Sequence, residues 1–246
     1  MTKLARETAE PAMSPVIFCD FDGTITQLDV TDQILAQLAH PSWREIEQEW
    51  MLGLIGSREC LERQIALVNA SAEELHAVID AVAVDAEFAA FCKFARKKQL
   101  PLYLLSDGFD FVIRRVLKGA GVARQFRSGS NLFASALRVE GRRLRPSFPH
   151  SPVPCAHGCA TCKEALILRL RDGRQPIIFI GDGMSDRFAV QVADVVIAKR
   201  HLLAHCRQSG IACHPFETFK DVQDTLEQLV AQAPAGRYRQ AVAAWS

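Results

Sequence analysis

The stretch Val16-Ile17-Phe18-Cys19-Asp20-Phe21-Asp22-Gly23-Thr24 decides how the chain is read. Four apolar, partly β-branched residues in a row mark a short strand buried on both faces, as in a parallel sheet. The strand ends on two carboxylates separated by one residue and followed by Gly. Like charges in a partly desolvated place repel unless a cation or a proton intervenes. The pair is therefore either a polar strand end with turn residues or a site built around a cation.

The same signature recurs downstream. Leu102-Tyr103-Leu104-Leu105 runs into Ser106-Asp107-Gly108, and Ile177-Ile178-Phe179-Ile180 runs into Gly181-Asp182-Gly183. Val195-Val196-Ile197-Ala198 reads as a fourth buried strand. Helical patterns follow Gly108 to about Lys118 and run from Lys163 to Arg171, and a further helix is expected after Gly183. Residues 131–139 alternate weakly and suggest a hairpin turning near Gly141. The proline-rich stretch from Pro146 to Pro154 is expected to be irregular. Strands alternating with helices imply an α/β fold, a doubly wound parallel sheet, whose ligands sit at the carboxyl ends of the strands.

From Asp29 to about Arg96 the character changes. Apolar residues recur at helical spacing (Ile34, Leu35, Leu38; Leu75, Val78, Ile79, Val82), and strand-like runs are absent. This is an all-helical insert, with Ser71-Ala72-Glu73-Glu74 spaced as a helix start. The domain reading is a loose leader over 1–14, a core of 15–28 and 97–232, a helical subdomain over 29–96 and a tail over 233–246.

Bulk properties narrow the partners. The chain has 246 residues, about half hydrophobic, with a formal net charge of +1. No clustered basic excess offers a general grip on nucleic acid; Arg142-Arg143-Leu144-Arg145 reads as a solvated loop or hairpin. No apolar run approaches the roughly 20 residues of a membrane helix, and the first residues lack an apolar signal core. A cytoplasmic protein is expected, its eight cysteines reduced. Composition leaves open a monomer or a homodimer.

The chemistry gathers at the strand ends. Asp182 and Asp186, four residues apart, add two acids to Asp20 and Asp22. Such an oxygen-rich pocket suits Mg²⁺, which takes a few carboxylates and keeps room for water and phosphate oxygens. The Ser106 hydroxyl, with the amides of Asp107 and Gly108 at a helix start, can hold phosphate oxygens. Lys163 opens a helix after an irregular loop, where its charge can offset a phosphate.

Asp20, Asp22, Ser106, Lys163, Asp182 and Asp186 occur in the order of the four motifs of the haloacid dehalogenase superfamily, which the chain thus resembles. The resemblance implies a Rossmann-like core, with an aspartyl-phosphate formed on Asp20 and Asp22 as acid and then base. It implies phosphoryl binding by Ser106, Asp107, Gly108 and Lys163. Mg²⁺ would be held by Asp20, the backbone carbonyl of Asp22, and Asp182 or Asp186. The helical insert resembles the cap of the phosphoserine-phosphatase-like branch, which implies a small phosphorylated metabolite as substrate.

Finer features point in several directions. Cys155-Ala156-His157-Gly158-Cys159-Ala160-Thr161-Cys162-Lys163 resembles the cysteine-rich loop of the methionine-salvage phosphatases, with fewer cysteines. So do Asp20 to Thr26, Pro41-Ser42-Trp43, Arg63 and Leu202 to Arg207. Ser106-Asp107-Gly108 is closer to the phosphocholine type. Asp29 falls where phosphoserine phosphatases carry a substrate-binding glutamate, and their carboxylate-binding arginine falls on Glu62, beside Arg63. Asp29, Arg63 and Ser185 are the expected substrate contacts. The leading substrate is the methylthiopentenyl phosphate of methionine salvage, whose uncharged tail suits a cap pocket with few charges. Phosphoserine and phosphocholine or phosphoethanolamine are the alternatives, the choline type drawing on Asp29, Asp32 and Trp43 as a cage. A non-catalytic phosphate-binding regulator would be expected to lack Asp20 or Asp22. The three loop cysteines with His157 or His150 either offer soft ligands to zinc or fill a tight loop as small hydrophobes. Trp43 and Trp50 read as the core of the cap, with lining of the substrate pocket as the alternative.

Overall fold

The computed structural model describes residues 14–152, 154–173 and 175–232. The leader, save Ser14, and the tail expected over 233–246 lie outside them. Seven strands form one sheet in the spatial order β4 (Arg143–Ser147), β3 (Leu132–Glu140), β2 (Leu102–Phe109), β1 (Val16–Cys19), β5 (Ile177–Gly181), β6 (Val195–Ala198) and β7 (His214–Pro215). β1 (Val16–Cys19) lies at its centre between β2 (Leu102–Phe109) and β5 (Ile177–Gly181). It is parallel to both, with Ile17 paired to Leu102 on one side and to Ile178 on the other.

The continuous apolar runs explain this placement. Successive strand residues face opposite sides, so a strand with an apolar layer on both sides must be apolar throughout. Ile17 and Cys19 enter one core, and Val16 and Phe18 enter the other. On the first face pack α5 (Phe88–Lys97), α6 (Asp110–Gly119) and α9 (Phe219–Gln232). On the second lie α7 (Lys163–Leu170) and α8 (Arg200–Gln208). β6 (Val195–Ala198) and the two-residue β7 (His214–Pro215) extend the parallel sheet.

The hairpin is longer than its sequence signal. β3 (Leu132–Glu140) pairs in parallel with β2 and antiparallel with β4 (Arg143–Ser147), turning through Gly141. Pro146 therefore lies in a strand, opposite Leu137, rather than in an irregular segment. β4 is an edge strand, where a residue without an N–H is tolerated. The helix expected after Gly183 is absent. Two short 3₁₀ turns, Met184–Asp186 and Ala189–Val192, take its place, because the Asp186 carboxylate folds back to accept the Asp182 and Gly183 N–H groups.

The helical insert divides by its packing. α1 (Val30–Leu38), α2 (Trp43–Met51), α3 (Ser57–Ile65) and α4 (Ala72–Asp80) form the cap. Ser71 caps α4 as its spacing implied, with Glu74 returning the bond. The cap joins the core through two antiparallel segments: Gln27 N–H donates to the Ala83 carbonyl and Asp85 N–H to that of Ile25, each at 2.9 Å. α5, expected within the insert, instead packs with the core. Phe88 and Phe91 lie against Phe219 of α9, with ring centroids 4.9 and 5.0 Å away. Phe219 is wholly buried. Phe219→Ala is expected to cost about 3–5 kcal/mol of stability, as truncation of a buried aromatic does. The measurement is the urea midpoint, which falls while the slope of the transition stays unchanged.

Candidate active site

The site is built where β1, β2 and β5 end. Lys163, the first residue of α7, is 3 % exposed. Its Nζ lies 2.6 Å from Asp20 Oδ1, 2.5 Å from Asp186 Oδ1 and 3.2 Å from Ser185 Oγ. Burial disfavours an ammonium, but the charges of Asp186, Asp20 and Asp107 outweigh it and hold the lysine well above its ordinary pKa. Asp20 Oδ2 accepts from the Thr24 hydroxyl at 3.3 Å, and the same hydroxyl reaches Asp182 Oδ1 at 2.9 Å.

The neighbouring acids are under strain. Burial first, and then the charge of Asp20, push Asp186 up to about 8 even beside Lys163. The same causes raise Asp182. Asp20, Asp182 and Asp186 each present an oxygen, all within 4.8 Å of one another. Lys163 meets Asp20 and Asp186, and Arg200 reaches Asp182 from the side; three buried carboxylates still converge here, and an all-oxygen set is what a hard divalent cation takes. The carboxylate of Asp22 stands apart from this trio. It accepts from the Val30 N–H and from the Ser106 hydroxyl, both at 3.1 Å. Burial and the Asp20 charge push it up to about 7.

Two glycines let these groups approach. Gly23 has φ +69°, and a Cβ there would strike the Asp182 carboxylate. A Cβ on Gly108 would strike Asp22 Oδ2. The Gly108 N–H donates to Ser106 Oγ at 2.9 Å. Asp107 is turned sideways: its Oδ1 accepts from the Thr161 N–H at 2.8 Å, and it also lines the cavity above.

That cavity, of about 480 Å³, lies between cap and core and meets Asp20, Asp22, Ser106, Asp107, Gly108, Asp182 and Ser185. This volume is in the usual range of small-molecule sites. From the cap side it is lined by Asp29, Asp32, Glu47, Trp50, Met51 and Gln64, among others. Burial and the charge of Asp22 raise Asp29 well above the ordinary carboxylate range. Burial and Glu47 lift Asp32 to about 6. Arg63 does not reach the cavity lining. Its guanidinium is forked onto Glu49 at 2.6 and 2.8 Å on the outside of the cap. Of the two tryptophans of the cap, Trp43 is packed in the core and Trp50 faces the cavity.

Three contributors escaped the sequence reading. Thr24 bridges two of the acids, as above. Lys199 Nζ is bonded to the Thr24 carbonyl at 3.0 Å. Arg200 reaches the Gly23 carbonyl at 3.1 Å and Asp182 Oδ2 at 3.4 Å, from a left-handed backbone with φ 49°. Such a conformation is unusual without glycine and persists only where its surroundings hold it. The available signal was a Lys-Arg pair directly after the fourth buried strand, which is where the other site residues also stand.

Residues 17–190 match the family model of the haloacid dehalogenase-like hydrolases. The 2-hydroxy-3-keto-5-methylthiopentenyl-1-phosphate phosphatase of Geobacillus kaustophilus is 30% identical over 217 residues, spanning 87% of this chain and 96% of that protein. The protein of the same name from Bacillus velezensis is 30% identical over 220 residues, 88% of this chain and 91% of the other. Among solved structures, a substrate-bound phosphoserine phosphatase superposes with a TM-score of 0.63 at 15% identity, covering 86% of this chain and 98% of its own. A hydrolase of the same family from Salmonella enterica serovar Typhi gives 0.62 at 19% identity, covering 84% and 68%. These likenesses speak for the fold. The chain belongs to the haloacid dehalogenase-like hydrolases.

Proposed function

We propose that this protein is a magnesium-dependent phosphatase of small phosphomonoesters, with Asp20 as nucleophile. The observation that carries the reading is the pairing of Asp20 and Asp22 on the cavity floor in unlike surroundings. Asp20 is held against an ammonium, and Asp22, pushed up to about 7, keeps a proton near neutrality. Asp20 attacks phosphorus, the ester bond breaks, and Asp22 protonates the departing oxygen. Water then attacks the aspartyl-phosphate. Asp22 takes its proton, phosphate leaves and the Asp20 carboxylate is restored. Lys163 neutralises charge and fixes Asp20 throughout, and the Ser106 loop orients the phosphoryl oxygens. Bound Mg²⁺, held by Asp20, Asp182, Asp186 and the Asp22 carbonyl, would supply further charge neutralisation at the phosphoryl group.

The leading substrate is the phosphate named for the relatives from Geobacillus and Bacillus. The cap wall is more acidic than a neutral tail was expected to meet. Asp29 and Asp32, however, are both displaced upward, and a protonated carboxyl can donate to a keto or hydroxyl oxygen. A second reading draws on Glu47, Asp32 and Trp50, which together suit a cationic head such as choline or ethanolamine. Phosphoserine is disfavoured, because no described Arg or Lys lines the cap side of the cavity.

A phosphate-release screen with Mg²⁺ over these esters tests the reading. Asp20→Asn is expected to lose at least about 1,000-fold in kcat, in line with removal of a covalent nucleophile. Equal rates for wild type and variant would refute the mechanism. Glu47→Gln separates the two substrate classes. A KM for phosphocholine raised about tenfold, with the methylthiopentenyl ester unaffected, marks a cationic site; an unchanged KM for both removes that reading.

The raised carboxylates also set a pH dependence. Asp186 and Asp22, at about 8 and about 7 in the folded protein, hold protons that the unfolded chain gives up near pH 4. Without metal the folded state binds more protons through this window, so stability falls as pH rises from about 5 to 8. Mg²⁺ is expected to raise the melting temperature more at pH 8 than at pH 6, and scanning calorimetry at the two pH values is the check.

A further inference from the structure

Six of the eight cysteines are buried and two partly so, but their surroundings differ. Cys19, Cys92 and Cys206 are members of the two apolar cores. Cys60 is buried within the cap, its thiol directed at the Ile46 carbonyl. Cys159 and Cys162 are buried outside both cores. With Cys155 they turn toward each other, the three sulfurs lying within 4.8 Å of one another. A tetrahedral zinc with Zn–S bonds of about 2.3 Å holds its sulfurs about 3.8 Å apart. The triangle therefore needs only a small contraction. The backbone favours thiolate at Cys155, whose Sγ accepts from the Cys159 N–H at 3.4 Å, in a turn made possible by Gly158 at φ +61°. Filling a tight loop, the reading left open by the sequence, does not explain why the thiols converge on one another instead of on apolar side chains.

The turn is also placed where a fixed shape has effect. Gly158 O accepts from the Arg58 N–H of the cap at 3.0 Å, and the Ala160 N–H donates to Ser57 Oγ at 3.0 Å. The next N–H, of Thr161, donates to Asp107 Oδ1. Cys162 directly precedes Lys163. One short turn thus touches the cap, the Ser106 loop and the buried lysine.

We propose that Cys155, Cys159 and Cys162 bind one zinc ion, separate from the carboxylate cluster, and that the ion fixes this turn between core and cap. The thiols lose their protons to solvent on binding. Among the described residues no His, Asp or Glu joins the three sulfurs at that distance, so water completes the tetrahedron.

The test uses the full chain, stripped of metal with a chelator under reducing conditions and dialysed against Zn²⁺ in excess Mg²⁺. Elemental analysis should then find one zinc per chain. Co²⁺ in its place should give an intense near-ultraviolet thiolate-to-metal band. Zinc should protect Cys155, Cys159 and Cys162 from alkylation, as mapped on peptides. Cys155→Ser and Cys159→Ser should abolish retention, while Cys213→Ser retains it. Should either variant fail to fold, the cobalt band and the alkylation map of the wild type still decide. Zinc retained equally by the serine variants, no thiolate band, or a chain that closes a disulfide between two of these cysteines in preference to taking zinc would each overturn the proposal. None of these readouts uses phosphatase activity, so the outcome is independent of the function proposed above.

Discussion

A buried ammonium with two carboxylates on it governs the arrangement of the centre. Neither Lys163 nor Asp186 is stable in the interior alone, since an isolated buried charge is far costlier than a paired one. Lys163 must start α7 within reach of both Asp20 and Asp186. This fixes where α7 begins relative to β1, and where the turn after β5 must fold back. The distances of 2.6 and 2.5 Å are short, in keeping with charged partners, whose hydrogen bonds are shorter than those of neutral groups. Removing the lysine would leave two buried acids with no counterion, so the contact is structural as well as chemical.

The same cluster separates two acids that look alike in the sequence. Asp20 and Asp22 differ by two positions, yet only Asp20 meets the ammonium. Asp22 meets an amide and a hydroxyl, and the neighbouring charge of Asp20 works against its ionisation. Pairs of carboxylates with unlike surroundings can take opposite roles in one reaction. The division here follows from which strand end or helix start lies nearest, and no special residue type is needed. A comparable separation continues into the cap, where Asp29 and Asp32 are raised by burial while Glu49, further out, is held down by Arg63.

The centre was legible because its determinants are local. Strands buried on both faces are continuously apolar, and each of β1, β2 and β5 runs directly into the polar residues that its end presents. Asp20, Ser106 and Asp182 could therefore be placed near one another before any geometry was known, while Lys163, which opens a helix, joined them only through the family resemblance. The less legible parts depend on partners far off in the chain. Periodicity marks α5 as an amphipathic helix, but does not say that its apolar face meets Phe219. Arg63 sits at a position suggestive of substrate contact, but Glu49, one helix earlier, claims its charge. Trp43 and Trp50 lie on one helix, and only the packing of the cap decides which faces the cavity. Strand–helix alternation leads one to expect a helix after Gly183, whereas the Asp186 side chain closes the turn on itself.

The paired segments Ile25–Gln27 and Ala83–Asp85 carry a consequence for how such chains diversify. The chain leaves the core and returns to it at neighbouring backbone positions, within hydrogen-bonding distance. Everything between them can be lengthened, shortened or exchanged without moving a strand of the sheet, because closing a longer loop between fixed ends costs free energy only logarithmically in its length. The floor of acids and the helical roof above it are thereby free to vary apart in length and make-up.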